Sequence, residues 1–485
     1  MRKVHYNFID MFPQDVDKNG GVNGGLSVNA AALLVAGEMA GSGVLALPRA
    51  LVKTGWIGVP LIILMCLVAA FSGKRLGDCW SILEDRNPDM RTRKRNPYAI
   101  IADQTLGKTW SVVVSMAIIV TLFGASVVYL LLAAQIIGQV FLALVPTLTI
   151  CTWYLVVAGA MTPLMFFGTP KDFQFTGIIA FGSTLIACIL YFIEMMNELR
   201  PFVFRWGVHG FQDFFLALGT IMFAFGGAST FPTIQNDMAD KSKFSTSLHY
   251  SFFAILLLYL PISIGGYAVY GDAVAPNLSA SLSATPLTLV ANVFMAIHLV
   301  FAFIILINPV CQEMEELYNV PRDSIGWRIV VRLSIMAGIM FIGESVPRFY
   351  TILALVGGTS VALLTYILPS YCYLSLINQT PREGQTPIET PGWMKMVCWE
   401  VIALGTAAAV AATYAAISAI FSTSYHQSQH TILPQTTHLF HTESPFQRSL
   451  NRAPLPMLHL TSRLFLLSTL QKWHERKGQN NSFEK

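Results

Sequence analysis

Charge is what this chain has least of: Asp, Glu, Lys and Arg together make up 12% of its 485 residues, about half the share usual in soluble domains. Hydrophobic residues make up 54%. That balance excludes an ordinary soluble domain and points to a chain crossing a membrane several times. The seven cysteines, Cys66, Cys79, Cys151, Cys188, Cys311, Cys372 and Cys398, are scattered with no CxxC and no metal-ligand spacing. Neither a zinc site nor a disulfide framework is indicated, and each reads as a buried thiol. There is no HExxH, no GxSxG elbow and no P-loop, so a membrane hydrolase or an ATP-driven pump finds no support. An enzyme is therefore not expected, nor a cofactor or a metal centre. The net charge of +4 does not indicate nucleic acid, because the basic residues divide by membrane side rather than gathering on one soluble face. Residues 1–26 are polar and glycine-rich, without the short apolar core and small-residue cleavage site of a signal peptide. The first helix is expected to serve as its own signal.

What is abundant is apolar run length. A helix needs about 20 apolar residues to cross the hydrocarbon core. Residues 109–170 contain no Asp, Glu, Lys or Arg, which suits two crossings divided near Val145-Pro146-Thr147. The same arithmetic predicts spans near 27–48, 55–73, 111–143, 149–168, 173–193, 212–233, 248–270, 287–309, 326–344, 349–377 and 398–421, eleven in all. The ninth carries Arg328 and Arg332 and needs them to snorkel from its inner end.

Lys and Arg set the orientation, because cytoplasmic loops retain them. The connection after the second span holds Lys74, Arg75, Arg86, Arg91, Arg93, Lys94, Arg95 and Lys108. Placing it in the cytoplasm puts the amino terminus there too, and an odd number of spans leaves 422–485 outside or in a lumen. The run Arg91-Thr92-Arg93-Lys94-Arg95 reads as a topology determinant. The Asn277-Leu278-Ser279 sequon falls in an outer loop, whereas Asn378-Gln379-Thr380 faces the cytoplasm. The tail 422–485 is polar and His-containing, then briefly apolar around 464–470; it reads as disordered with a surface helix.

Two glycine breaks interrupt the spans: Ala40-Gly41-Ser42-Gly43-Val44 in the first and Phe225-Gly226-Gly227-Ala228-Ser229 in the sixth. Unpaired backbone in a bilayer costs several kcal/mol, so broken helices persist only where protein or a watery cavity satisfies the freed groups. Interruptions at corresponding positions of two halves mark the midplane site of a secondary transporter. A half-helix starting near Gly43 offers amides to a carboxylate, and one ending near Phe225 offers carbonyls to an ammonium. The pair suits a zwitterion. Close packing alone also explains a Gly-x-Gly. The second break, with Pro232 beyond it and Ser229 and Thr230 to bond loosened backbone, favours function.

These residues also carry a resemblance. Gly41-Ser42-Gly43-Val44-Leu45-Ala46-Leu47-Pro48-Arg49-Ala50 resembles the first-helix signature of the amino acid/auxin permease family, and Phe223-Ala224-Phe225-Gly226-Gly227 continuing to Phe231-Pro232-Thr233-Ile234-Gln235-Asn236-Asp237-Met238 is similar to its sixth helix. Asn308-Pro309-Val310 with Glu313 and Glu316 resembles the inner end of its eighth. Pro347-Arg348-Phe349, Val356-Gly357-Gly358-Thr359 and Leu368-Pro369 resemble its ninth-to-tenth helix region. The resemblance covers roughly residues 25–421. It implies an all-α amino acid transporter of eleven membrane helices, with the inverted five-plus-five repeat of the leucine-transporter type, discontinuous helices 1 and 6, and an added eleventh. The expected domains are a cytoplasmic tail 1–26, a transporter domain 27–421 and a tail 422–485.

Carried over residue by residue, the resemblance implies that backbone at Gly41, Ser42 and Gly43 holds the substrate carboxylate and backbone at Phe225 and Gly226 its amine. Tyr129 stands where similar transporters place an aromatic gate, although interior packing explains a lone Tyr equally. Met39, Phe223 and Ser229 are candidates for shaping the side-chain pocket. Glu38 lies one turn before the first break, where a carboxylate is costly unless protonated, paired or coordinating an ion. That makes it the candidate proton carrier, with His298 of the eighth span a second titratable candidate and a packing histidine otherwise. Sodium-using relatives often have an asparagine beside the Glu38 position, where this chain has Gly37. The expected coupling ion is therefore H+, with Na+ as the alternative. The reading is a multi-pass carrier of small neutral amino acids, working by alternating access in the plasma membrane or a vacuolar or lysosomal membrane. Its rivals are sodium coupling, exchange, and a non-transporting amino acid sensor.

Overall fold

The structure, a computed structural model, describes residues 25–87, 90, 96–141, 145, 147–166, 173–199, 210–321, 324–346, 348–379 and 389–432. The expectations for residues 1–24, for the basic run 91–95 and for the apolar patch 464–470 lie outside these residues. By its contacts the chain divides into Met1–Phe421 and Ser422–Lys485. In the second unit the described residues, 422–432, are helical. The first unit holds both glycine breaks and all the long apolar helices.

The described residues are helical apart from loops and one parallel bridge between Leu26 and Met238. Helices α1 (Val28–Met39) and α2 (Ser42–Thr54) form one interrupted rod. Then come α3 (Gly58–Arg86), α4 (Pro97–Leu106), α5 (Lys108–Val140), α6 (Ile150–Met161) and α7 (Phe173–Asn197). A second interrupted rod, α8 (Phe211–Ala224) with α9 (Phe231–Asn236), opens the next half. It is followed by α10 (Phe244–Tyr270), α11 (Pro286–Leu317), α12 (Ile325–Ser345), α13 (Phe349–Val356), a π-helical stretch (Gly357–Ile367), α14 (Leu368–Asn378) and α15 (Gly392–Ile432). Among the described residues eight helical stretches are long and apolar enough to cross a membrane, and three shorter apolar helices, Val28–Met39, Ile150–Phe166 and Phe211–Ala224, accompany them. Both interrupted rods lie at the centre: α2 packs on α8 and α10, and α1 on α10 and α7.

Three differences from the expected spans have clear causes. The second span does not stop near residue 73, because Arg75 need not leave the helix to find partners. It is 5% exposed, its Nη2 lies 2.9 Å from Asp78, and its guanidinium sits 4.8 Å from the Tyr373 ring centroid, which keeps the charge inside a continuing helix. The arginines of the ninth span do not both snorkel. Arg332 is 3% exposed, its Nε donates to Glu315 of α11 at 2.6 Å, and its Nη1 donates to the Met165 carbonyl. Arg328 reaches the same carboxylate at 3.3 Å. The tenth span is π-helical at its middle, where a Cβ on Gly357 would overlap the Gly219 carbonyl of α8.

Removing one member of a buried ion pair strands the other. Glu315→Leu is expected to lower stability by about 3–5 kcal/mol, read as a fall in the thermal midpoint of the purified chain. An unchanged midpoint would mean that the Met165 carbonyl alone holds Arg332.

The sequon is also built in. Asn277 is 2% exposed, accepts from the Ser279 amide at 3.1 Å and donates to Gln135 at 3.3 Å. In the folded chain this triplet caps a turn, leaving no room for a glycan.

Candidate solute site between the two broken rods

The first rod stops at Met39, with the Ala40 amide still bonded to Ala36. The Gly41 amide turns back onto the Met39 carbonyl at 2.8 Å, and the helix restarts at Ser42. A Cβ on Gly41 would overlap the Tyr129 hydroxyl and come 3.0 Å from His298 Nε2, so any larger residue there must displace the Tyr129 ring. The Tyr129 hydroxyl lies beside Ser42. It stands at the new helix start, where amides lack intrahelical partners. Ser42 Oγ is buried without a hydrogen-bond partner.

The second rod stops at Ala224, with the Phe225 and Gly226 amides both folded onto the Phe223 carbonyl. Between Gly226 and Thr230 the chain is unwound, and it rejoins a short helix at Phe231 with Pro232 in its first turn. Thr230 Oγ1 donates to the Gly227 carbonyl at 2.9 Å, a hydroxyl bonding loosened backbone as anticipated for a broken membrane helix.

The two breaks touch. A Cβ on Gly43 would lie 2.8 Å from Ala224 Cα, and one on Gly227 would lie 2.9 Å from Met39 Cγ. Beside this contact is a cavity of about 40 Å³ lined by Glu38, Met39, Tyr129, Phe223, Gly226 and Ser229, with further walls from α5 and the π-helical stretch. That is room for about three waters, too little for an amino acid without movement of the lining. The half-rods are tied at both ends. Lys53 at the end of α2 pairs with Asp213 at the start of α8 at 3.0 Å. At the other end the Leu26 amide donates to the Asp237 carbonyl at 2.8 Å, and the Ala239 amide to the Leu26 carbonyl at 3.0 Å.

Of the residues named from sequence, Glu38, Tyr129, Gly226 and Ser229 line this cavity together. Gly41, Ser42, Gly43 and Phe225 are buried beside it; Phe225 packs its ring 5.4 Å from that of Tyr259. Glu38, half-buried, lies beside Thr230 at the restart of the second rod. His298 stands behind Gly41. It is fully buried, its Nδ1 is 2.9 Å from the Ala180 carbonyl, and its Nε2 has no hydrogen-bond partner. With Nδ1 donating to that carbonyl, Nε2 is left as an acceptor aimed at the first break, 5.9 Å ring to ring from Tyr129. Among the described residues no three His, Cys, Asp or Glu side chains gather as a metal site.

Sequence reading missed Tyr259, Thr121 and the π-helical wall of Val361, Leu364 and Thr365. None sits in a glycine break or at an unusual charge, the two signals available from residues alone. Gly357-Gly358 gave a hint, since paired glycines in an apolar span permit close backbone approach.

The sequence and the fold have known relatives. The family described as "Transmembrane amino acid transporter protein" matches residues 24–418. Amino acid transporter AVT1B of Arabidopsis thaliana is 24% identical over 432 residues, 84% of this chain and 73% of that protein. Vacuolar amino acid transporter 5 of Schizosaccharomyces pombe is 24% identical over 377 residues, 73% of this chain and 85% of its own length. Among solved structures, MhsT in complex with L-phenylalanine superimposes with a TM-score of 0.52 at 12% identity, covering 80% of this chain and 98% of that one. A manganese transporter of Eremococcus coleocola gives 0.53 at 13% identity, covering 83% and 90%. Both similarities show a shared fold, the leucine-transporter type with two interrupted rods. With the family profile spanning the rods, the breaks and the cavity between them, this chain belongs to the transmembrane amino acid transporter family.

Proposed function

We propose that the protein is a secondary carrier of small neutral amino acids that uses a proton as its coupling ion and works by alternating access. The observation that carries this reading is the meeting of two unwound stretches at a small cavity whose lining includes the carboxylate of Glu38. Helix ends without side-chain charge suit a zwitterion's two poles. The remaining wall is mostly apolar, with Met39, Leu122, Phe223, Leu306, Val361 and Leu364, which disfavours a charged side chain. Glu38 is the acidic group of that lining, and a half-buried carboxylate that can gain a proton neutralises itself in the closed state. Carboxylate and amine are assigned to Gly41, Ser42 and Gly43 and to Phe225 and Gly226 respectively, with Tyr129 as gate and His298 as the second titratable group.

In this reading the three short helices complete interrupted or shortened spans, giving eleven crossings with the amino terminus in the cytoplasm. Residues 27–421 form the transporting domain, flanked by tails 1–26 and 422–485. The match to a vacuolar transporter of fission yeast supports an acidic organelle membrane over the plasma membrane.

The test is uptake of a radiolabelled amino acid panel by the full chain in proteoliposomes, with and without an inward proton gradient, in sodium and in choline. Accumulation of a small neutral amino acid is expected to follow the proton gradient in either salt. Accumulation only in sodium, exchange without net accumulation, or binding without flux would replace the reading by sodium coupling, exchange or sensing.

A further inference from the structure

The half-rods that end at the breaks, α1 at Met39 and α8 at Ala224, both present C-terminal carbonyls, the negative pole of a helix. Both ends bear on one point. Two such poles meeting where water is excluded repel unless a donor or a cation stands between them. The structure provides a donor from a third element. Tyr259 of α10 is fully buried, and its hydroxyl lies 2.6 Å from the Met39 carbonyl and 3.0 Å from the Ala224 carbonyl. Its own carbonyl accepts from the Ser263 hydroxyl at 2.6 Å, and its ring packs on Phe225. The side chain therefore joins the two breaks while touching the residue at which the second one starts.

We propose that Tyr259 is a positioning residue whose hydroxyl takes the place of an alkali cation between the carbonyl ends of the two broken rods, so that the solute site assembles without sodium. An oxygen shared between two main-chain carbonyls at hydrogen-bond distance occupies a point that carbonyl ligands would otherwise offer to a hard cation. Because this donor is covalently attached, the junction needs no ion from solution. The inference rests on the reading above only in taking the breaks as the solute site.

The experiment reads the thermal midpoint of the purified full chain in sodium chloride and in choline chloride at equal ionic strength. It needs no substrate, so failure of the carrier reading leaves it interpretable. The wild-type midpoint is expected to be the same in both salts. Tyr259→Phe is expected to fall by several degrees in both. Tyr259→Ser, which opens the point, is expected to fall in choline and to recover partly in sodium. A sodium-specific rise in the wild type, an unchanged Tyr259→Phe midpoint, or a Tyr259→Ser midpoint equal in both salts would each overturn the proposal. Should Tyr259→Ser give no folded protein, Tyr259→Gln, whose carboxamide N–H reaches toward the same gap, is compared with Tyr259→Leu. A higher midpoint for the glutamine variant is expected, and equal midpoints overturn the assignment.

Discussion

Gly43→Val is expected to abolish substrate uptake. The added Cβ would stand 2.8 Å from Ala224 Cα and 2.9 Å from Ala224 Cβ, closer than real Cβ contacts come, and the neighbour is main chain rather than the yielding end of a side chain. The variant must therefore push α2 away from α8 at the point where the breaks meet. Overpacking of this kind costs about 1–3 kcal/mol in cores able to adjust. Here the displaced parts are the helix ends that are proposed to hold the solute, so binding should weaken by ~100-fold or more, each 1.4 kcal/mol being a factor of ten. Gly159→Val is the control. It lies in α6 with nothing within 4 Å of an added Cβ, and uptake should be unaffected. Wild-type affinity in the Gly43 variant, measured with whichever amino acid the wild type accumulates, would detach the contact between the breaks from transport.

The second large effect is expected at Glu38. A carboxamide keeps the size and the approach to Thr230 but has no proton to gain or lose. In the wild type, uptake should rise as the side from which substrate enters is acidified. With one proton per substrate, a gradient of one pH unit supports up to about tenfold accumulation, 1.36 kcal/mol at 25 °C. Glu38→Gln should accumulate nothing above equilibrium under the same gradient while still exchanging labelled for unlabelled substrate. The proton's role is then confined to net movement, as a coupling group requires. Gradient-driven accumulation at the wild-type level in Glu38→Gln would remove this residue from coupling and shift attention to His298, whose Nε2 faces the first break without a partner.

Much of the architecture was readable from residues, and for a simple reason. In a bilayer, span length and backbone satisfaction leave little choice, so long apolar runs become helices and glycine-rich interruptions inside them become breaks. Both breaks sit where the sequence puts them, the first between Met39 and Ser42 and the second after Ala224. The limits of the reading lay with charged residues. Lys and Arg marked where helices should stop, yet Arg75 stays inside α3 because Asp78, Phe71 and Tyr373 receive it. Arg332 stays inside α12 because Glu315, 17 positions earlier, lies opposite. A lone basic residue signals water only when no partner waits in the fold.

The site was legible in part. Four of the candidates, Glu38, Tyr129, Gly226 and Ser229, line one cavity; the first stands out as an acid in an apolar helix and the last two as glycine and serine at a break, whereas Tyr129 came from the family resemblance. The sequence by itself determined that the chain is a membrane-spanning helical protein with two interrupted rods, since composition and local backbone chemistry act along the chain. Only the tertiary structure decided that the interruptions touch through Gly43 and Ala224, that a hydroxyl from α10 joins them, and that a π-helical stretch walls the cavity. Those arrangements depend on which side chains meet from residues tens to hundreds of positions apart, and no period or propensity records such meetings.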